Sequence, residues 1–226
     1  MEQVLDQNLN QEQALDFDSR TESLLETGYE LDVSETISEA FKVFKMNIGG
    51  FIGYTLIAYG IAIGVSFIPI VGSIANSLIT PALFFGFAWV THKVIRKEPI
   101  DSFNEFFKGF EFFVPLMIAG ILVSLITFLG FLLLIIPGIY LAVSYLWTSY
   151  IVVFGQKEGW PAMELSRKLI SKNWWSFLGL GLLLTLINLI GALLLGVGLL
   201  VTIPVSVIAI YLTFEKIVFN TTIPEA

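Results

Sequence analysis

The chain has no cysteine, a single histidine and, over three long stretches, no charged residue of either sign. Without cysteine there is no disulfide framework, no thiolate metal site and no lipidation site, so any membrane anchor has to be a spanning segment. His92, with no cysteine and no acidic neighbours in the sequence, makes neither a metal site nor a proton relay. Residues 1–40 hold one base, Arg20, against eleven acids, and no apolar run. That is the reverse of a signal peptide or an arginine-rich transit peptide, so membrane insertion is expected to use an internal span. There is no Walker loop, glycine-rich nucleotide fingerprint, HExxH or nucleophile elbow. No cofactor and no metal are expected, and the few basic residues give nucleic-acid binding no support.

What is present is apolar. Of 226 residues 56% are hydrophobic and 14% charged, with a mean hydropathy of +0.82. No soluble domain of this size could hide that balance in one core, so the chain reads as a membrane protein. The formal charge of −7 is uneven: eleven acids and one base give −10 in residues 1–40, and eleven bases against eight acids give +3 in the rest. Residues 1–31, rich in Gln, Glu, Asp and Asn, read as an acidic, mostly disordered tail with at most a transient helix.

Between Lys45 and Lys93 lie 47 uncharged residues, between Glu111 and Lys157 45, and between Lys172 and Glu215 42. A helix needs about 20 apolar residues to cross a hydrocarbon core, so each window holds a helical hairpin. Six spans are predicted, at 48–69, 72–92, 112–131, 136–155, 174–194 and 198–215. All twelve Lys and Arg residues then fall on the side of both termini, which predicts cytoplasmic termini. The opposite turns, around Pro69 to Ser73, Gly130 to Ile136 and Leu195 to Ile203, carry no charge.

Each hairpin follows a segment with helix-start chemistry. Asp32 with Glu35, and Ser102 with Glu105, have capping-box spacing. Pro161 suits a first helical position, with Ala162, Leu165 and Leu169 on one face and Arg167, Lys168 and Lys172 on the other. These segments are predicted to lie in the cytoplasmic interface, anchored by Trp160, Trp174 and Trp175. Lys42 to Gly53 (KVFKMNIGGFIG) matches Lys168 to Gly179 (KLISKNWWSFLG), and the sequences around Pro81 and Pro204 correspond. The expectation is an all-α, polytopic protein: a tail (1–31), a six-span domain (32–219) with repeat units at about 32–97, 101–157 and 160–219, and a short end (220–226).

Pro81 and Pro204 lie 12 residues before Lys93 and Lys216, about 18 Å of helix, so spans two and six are expected to kink or break inside the membrane. Interrupted helices at matching repeat positions point to a transporter's midplane site, with Asn76, Thr80, Asn188, Thr202 and Ser206 as polar partners. The plainer reading is helix packing, since no ionisable residue lies at that depth. The run Tyr140, Ser144, Tyr145, Trp147, Thr148, Tyr150 suits a lipid cavity or ordinary packing. Glu158, Glu164 and Glu215 read as exposed ion pairs. Gly179, Gly181, Gly191, Gly196 and Gly198 suit close helix approach. Asn220-Thr221-Thr222 has the form of a glycosylation acceptor on the wrong side of the membrane.

Ile136-Pro137-Gly138-Ile139-Tyr140-Leu141-Ala142, followed by a span, a break and then Ala162, Ser166, Leu169 and Trp174, resembles a recurring pattern. It is that of a large group of uncharacterised bacterial multi-span membrane proteins, including the membrane domain attached to some glycerophosphodiester phosphodiesterases. The resemblance covers roughly residues 130–180 well and the rest by layout. It departs at Ser144, where such proteins often carry a basic residue. It implies a bacterial inner-membrane protein; no phosphodiesterase domain is present, so that activity is not implied. Two functions are expected in order: a non-enzymatic protein that meets membrane lipids and docks other membrane or cytoplasmic proteins through its acidic tail and interfacial helices, or a small transporter or lipid-handling protein with a site near Pro81 and Pro204. A cavity lined by Asn76 and Asn188 would favour the second.

Overall fold

The computed structural model describes residues 2–68, 71–194 and 196–223. It is 84% helical, with no strand among those residues. Among the described residues ten α-helices and one 3-10 helix follow one another: α1 (Glu2–Thr27), α2 (Val33–Met46), α3 (Ile48–Ser66), α4 (Val71–Ile95), the 3-10 helix (Phe103–Phe112), α5 (Phe113–Leu133), α6 (Ile135–Ser144), α7 (Thr148–Phe154), α8 (Gly159–Ser171), α9 (Trp174–Leu193) and α10 (Leu199–Phe219). Six stretches are long and apolar enough to cross a membrane: Ile48–Ser66, Ala75–Ile95, Phe103–Leu133, Ile135–Phe154, Trp174–Leu193 and Leu199–Phe219. Their central parts fall in the three uncharged windows of the sequence, and Ala75–Ile95, Phe103–Leu133 and Leu199–Phe219 extend past a window's edge to take in Lys93, Glu105 to Glu111, and Glu215 with Lys216. Pro69, Leu195 and residues 224–226, parts of the expected turns and of the short end, lie outside the described residues.

α3 packs on α4, α5 on α6 and α9 on α10. α10 is the central element, reaching α1, α2, α3, α4 and α9. Its second half is buried almost residue by residue, from Pro204 to Glu215. By contrast α5 and α9 leave Ile121, Leu125, Phe128, Leu182, Leu186 and Leu193 exposed, as apolar side chains facing hydrocarbon would be.

The helix starts follow the sequence chemistry unevenly. Asp32 caps α2, accepting the backbone N–H of Glu35 at 2.8 Å. Ser102 makes no such bond. Its expected partner Glu105 instead accepts from the Trp89 indole at 2.9 Å and pairs with Lys93 at 3.0 Å. The segment is therefore held to α4 as a 3-10 helix rather than capped as an α-helix. The two approach so closely that a Cβ on Gly86 would strike the Phe106 carbonyl, and one on Gly109 the Ala82 carbonyl. Tyr54, Phe87, Phe103, Phe106 and Phe107 fill the adjoining space as edge-on and stacked rings. α8 begins at Gly159, which makes Pro161 its third residue, still within the first turn where a missing N–H costs nothing.

Two expectations are corrected. Residues Glu2–Thr27 form a helix, not a mostly disordered tail. Fully buried Phe17 packs on Phe214 and Phe219, and Asp18 binds Lys157 at 2.7 Å. Beyond the helix, Tyr29 stacks on Trp147 and donates its hydroxyl to the Leu169 carbonyl at 2.9 Å. The tail has too little apolar surface to fold alone, but its few large side chains are enough to dock it on a body already built. The second correction concerns the helix breaks expected at Pro81 and Pro204 as one of two outcomes, kink or break: α4 and α10 run through both prolines without a break. Thr80 and Ser206 donate to the carbonyls of Asn76 and Thr202 in the turns that hold the prolines, and the Pro81 ring rests on Gly120 of α5.

Candidate functional site

The break that does occur is in the fourth apolar stretch, between α6 and α7 at Tyr145–Trp147, where there is no proline. Ser166 of α8 closes it. Its hydroxyl donates to the Ser144 carbonyl at 2.8 Å and accepts the Trp147 N–H at 3.2 Å, and the residue is wholly buried. One side chain thus satisfies both a carbonyl and an amide that the helix interruption leaves over. Trp147, buried beside it, donates its indole N–H to Thr213 of α10 at 2.9 Å. Tyr140 and Ser171 pair through their hydroxyls at 2.8 Å, and the Trp174 indole donates to the Tyr140 carbonyl at 3.3 Å.

Next to this break is a partly open cavity of about 530 Å³. Pro81, Phe84 and Phe85 of α4, Leu146 of the break, Ser149 and Tyr150 of α7, Asn188 of α9, and Leu199, Ile203, Ser206, Val207 and Ile210 of α10 form its wall. Its size is that of sites for small organic molecules, and its wall is apolar with a few neutral polar groups. Asn188 donates to the Leu184 carbonyl at 2.8 Å and to the Ser206 hydroxyl at 2.7 Å. A second cavity of about 100 Å³, lined by Thr80, Phe84 and Ile203 among others, adjoins it through the two residues they share.

The expected polar set is therefore split. Asn188 and Ser206 meet, Pro81 lies on the same wall, and Thr80 faces the smaller cavity. Asn76 is elsewhere, donating to the Ala62 carbonyl at 3.1 Å and to the Ser66 hydroxyl at 2.9 Å, where it ties α4 to α3. The expected joint lining by Asn76 and Asn188 is not found. The Thr202 hydroxyl is buried without a partner against Gly191, where α9 and α10 touch through Gly191 and Gly198. Pro204 is buried and lends the cavity its neighbours rather than itself. Of the aromatic and hydroxyl run only Tyr150 and nearby Leu146 and Ser149 reach the cavity.

Charged groups collect at one end of the bundle. Lys216 binds Glu39 at 2.8 Å and Glu35 at 3.5 Å. Glu215, expected as an exposed ion-pair member, is 0% exposed. Its carboxylate accepts from Arg96 at 2.8 and 3.1 Å, from the Tyr211 hydroxyl at 2.6 Å and from Thr221 at 3.1 Å. His92 Nδ1 stands 2.7 Å from the Tyr211 hydroxyl, whose single hydrogen is spent on Glu215, so the imidazole carries the hydrogen of that contact. The cluster ties the ends of α4 and α10 together. Its signal in the sequence was the i, i+4 pair Tyr211 and Glu215 opposite His92 and Arg96, the same spacing on two helices.

Among the expected anchors, Trp160 and Trp175 are exposed, whereas Trp174, the first residue of α9, is half-buried against Tyr140 of α6. Arg167 binds Glu164 through two nitrogens at 2.6 and 2.9 Å, a contact that holds the Glu164 carboxyl below its ordinary range. Lys168 reaches Glu164 only at 3.9 Å, and Lys172 ends α8 exposed. Gly179 and Gly181 have open space in front of them. Among the described residues no group of three or more His, Cys, Asp or Glu side chains could hold a metal. Compared with known proteins, the chain matches no family model, no curated protein and no solved structure.

Proposed function

We propose that this chain is a lipid-handling or small transport protein of the bacterial cytoplasmic membrane, without enzymatic activity, whose working site is the cavity between α4, α7, α9 and α10. The observation that carries the reading is the 530 Å³ cavity, beside a helix interruption and the two proline-bearing helices. Asn188 and Ser206 sit about 21 Å and 15 Å of helix from Trp174 and Lys216, the charged-end boundaries of their helices. An apolar space at that depth with neutral polar groups on one wall suits a molecule that partitions into lipid.

In this reading the six spans form three hairpins, each after a cytoplasmic interfacial helix, with both termini cytoplasmic. A common ancestry of the units is supported by Asn47 and Asn173, which occupy matching places before α3 and α9. They share one unusual backbone conformation, φ −145°, ψ 54° and φ −139°, ψ 43°. The resemblance of residues 130–180 to bacterial multi-span proteins supports the same location. Ser166, part of that pattern, is the residue that closes the α6 to α7 break.

The other reading, docking of partner proteins through the acidic tail, loses support because Phe17, Asp18 and Arg20 already engage the chain's own body. An enzyme lacks support because the buried carboxylate Glu215 is spent on its own internal bonds, as are the Lys216 and Glu105 clusters. The test is native mass spectrometry of the protein released from mild detergent. The wild type is expected to retain one lipid-sized molecule, and Ile203→Trp, which narrows both cavities from the wall they share, to retain less of it. Equal retention by the two proteins would sink the proposal.

A further inference from the structure

Resting on that reading, we propose that the cavity selects an uncharged lipid bearing a carbonyl oxygen, in an acyl ester or a quinone, which accepts hydrogen bonds from Tyr150 and Ser149 of α7. The argument is a count of hydrogens over the whole polar wall. Asn188 directs its amide hydrogens to the Leu184 carbonyl at 2.8 Å and the Ser206 hydroxyl at 2.7 Å. Ser206 donates its own to the Thr202 carbonyl at 2.7 Å. That side of the wall has no free hydrogen, and Asn188 Oδ1 is sealed from contact. The α7 side differs. Ser149 and Tyr150 both line the cavity, and among the described residues neither hydroxyl has a hydrogen-bond partner. Neither belongs with the partnerless oxygens that packing seals, such as those of Asn188 and Thr202, so both keep surface that a ligand can meet. Tyr150 is itself only 6% exposed. Its ring packs on Tyr211 and Phe214 at centroid distances of 5.2 and 5.5 Å, which fixes where its hydroxyl sits.

A hydroxyl hydrogen left unpaired in an apolar space is costly. A carbonyl oxygen has two lone pairs and no hydrogen of its own, so two contacts use both free hydrogens. An alcohol meeting the same two hydroxyls brings a third hydrogen to two contacts, and one is left over. An alkane relieves nothing. No Lys, Arg, His, Asp or Glu lines the cavity to meet a charged head. About 15 Å of helix separates Ser206 from Lys216, a depth at which an unpaired charge is expensive. The rest of the wall, with Phe84, Phe85, Ile203 and Ile210, suits the apolar part of such a lipid.

The test uses the full chain in nanodiscs of ether-linked phosphatidylcholine, which contributes no carbonyl of its own. The photoactivatable probes are a long-chain quinone, a triacylglycerol, a phosphatidic acid with ester-linked chains, a long-chain alcohol and an alkane. The quinone or the triacylglycerol is expected to label cavity peptides about threefold to tenfold more than the other three, the value of one hydrogen bond. Stronger labelling by the first makes the ligand a quinone, and by the second an acyl ester. Tyr150→Phe, which keeps the ring and removes the hydroxyl, should lower the favoured probe by the same factor and leave the alkane unchanged. Ser149→Ala should act in the same direction. A loss of all probes alike in Tyr150→Phe means that the side chain only shapes the wall, and overturns the proposal. Equal labelling by carbonyl probes and alkane in the wild type, or preference for the alcohol or the phosphatidic acid, overturns the carbonyl selection while leaving the cavity as a lipid site. No cavity labelling by any probe contradicts the lipid-handling reading itself.

Discussion

At the scale of single residues, the structure turns on small polar side chains that satisfy backbone or charge in an apolar setting. Ser166 is one. Replacing it with alanine leaves the Trp147 N–H and the Ser144 carbonyl without that partner inside a dry region. Loss of such bonds costs about 1–3 kcal/mol. For a chain of this length a loss of 1 kcal/mol moves the midpoint by about 2–4 °C. Ser166→Ala is thus expected to lower the thermal midpoint in detergent by several degrees; an unchanged midpoint would show that the hydroxyl does not close the helix break. Glu215 is a second case. Its partner Arg96 keeps more than a third of its side chain exposed, and Tyr211 and Thr221 also donate to Glu215, so removing Arg96 costs less than the about 3–5 kcal/mol of a fully buried pair. Arg96→Leu should still destabilise, and the double variant Arg96→Leu with Glu215→Leu should regain part of the loss. Denaturation of Arg96→Leu, Glu215→Leu and the double variant measures this, and strictly additive effects would mean that the two side chains are not coupled.

At the scale of elements, the sequence made the long helices legible because uncharged windows of 42–47 residues have few physical outcomes. It also marked the start of α2 through Asp32. It misled where a local signal met a stronger tertiary one. Ser102 has capping chemistry, yet Glu105 is drawn to Trp89 and Lys93. Pro81 and Pro204 carry the usual mark of a helix break, yet both helices continue, and the interruption falls at Tyr145, where its cause, Ser166, is 21 residues away in sequence. The acidic helix α1 was hidden because its composition is that of a disordered chain, while its docking rests on Phe17, Asp18 and Tyr29 meeting distant residues. Phe17→Ala should release α1. Deuterium uptake over residues 13–27 is expected to rise toward that of a free peptide, with α4 and α10 unaffected. Unchanged protection of α1 would mean that Phe17 is not its anchor.

At the scale of the whole molecule, α10 is the most buried of the six apolar stretches among the described residues, with charges gathered at one end and a neutral cavity between helices. The candidate site was half legible. Asn188, Pro81 and Ser206 were recognisable as polar or irregular features at one depth, whereas Asn76 has the same appearance in sequence and serves only the α3 to α4 contact. Nothing in local sequence separates the two, because the difference lies in which neighbour fills the space: Ser66 beside Asn76, an open cavity beside Asn188. The most direct measurement is residue-mapped photo-crosslinking of a long-chain diazirine probe to the protein in nanodiscs. The cavity account predicts adducts concentrated on residues 81–85, 146–150 and 199–210, and reduced there by Ile203→Trp. Adducts confined to the outward faces of α5 and α9, with none at those positions, would contradict it.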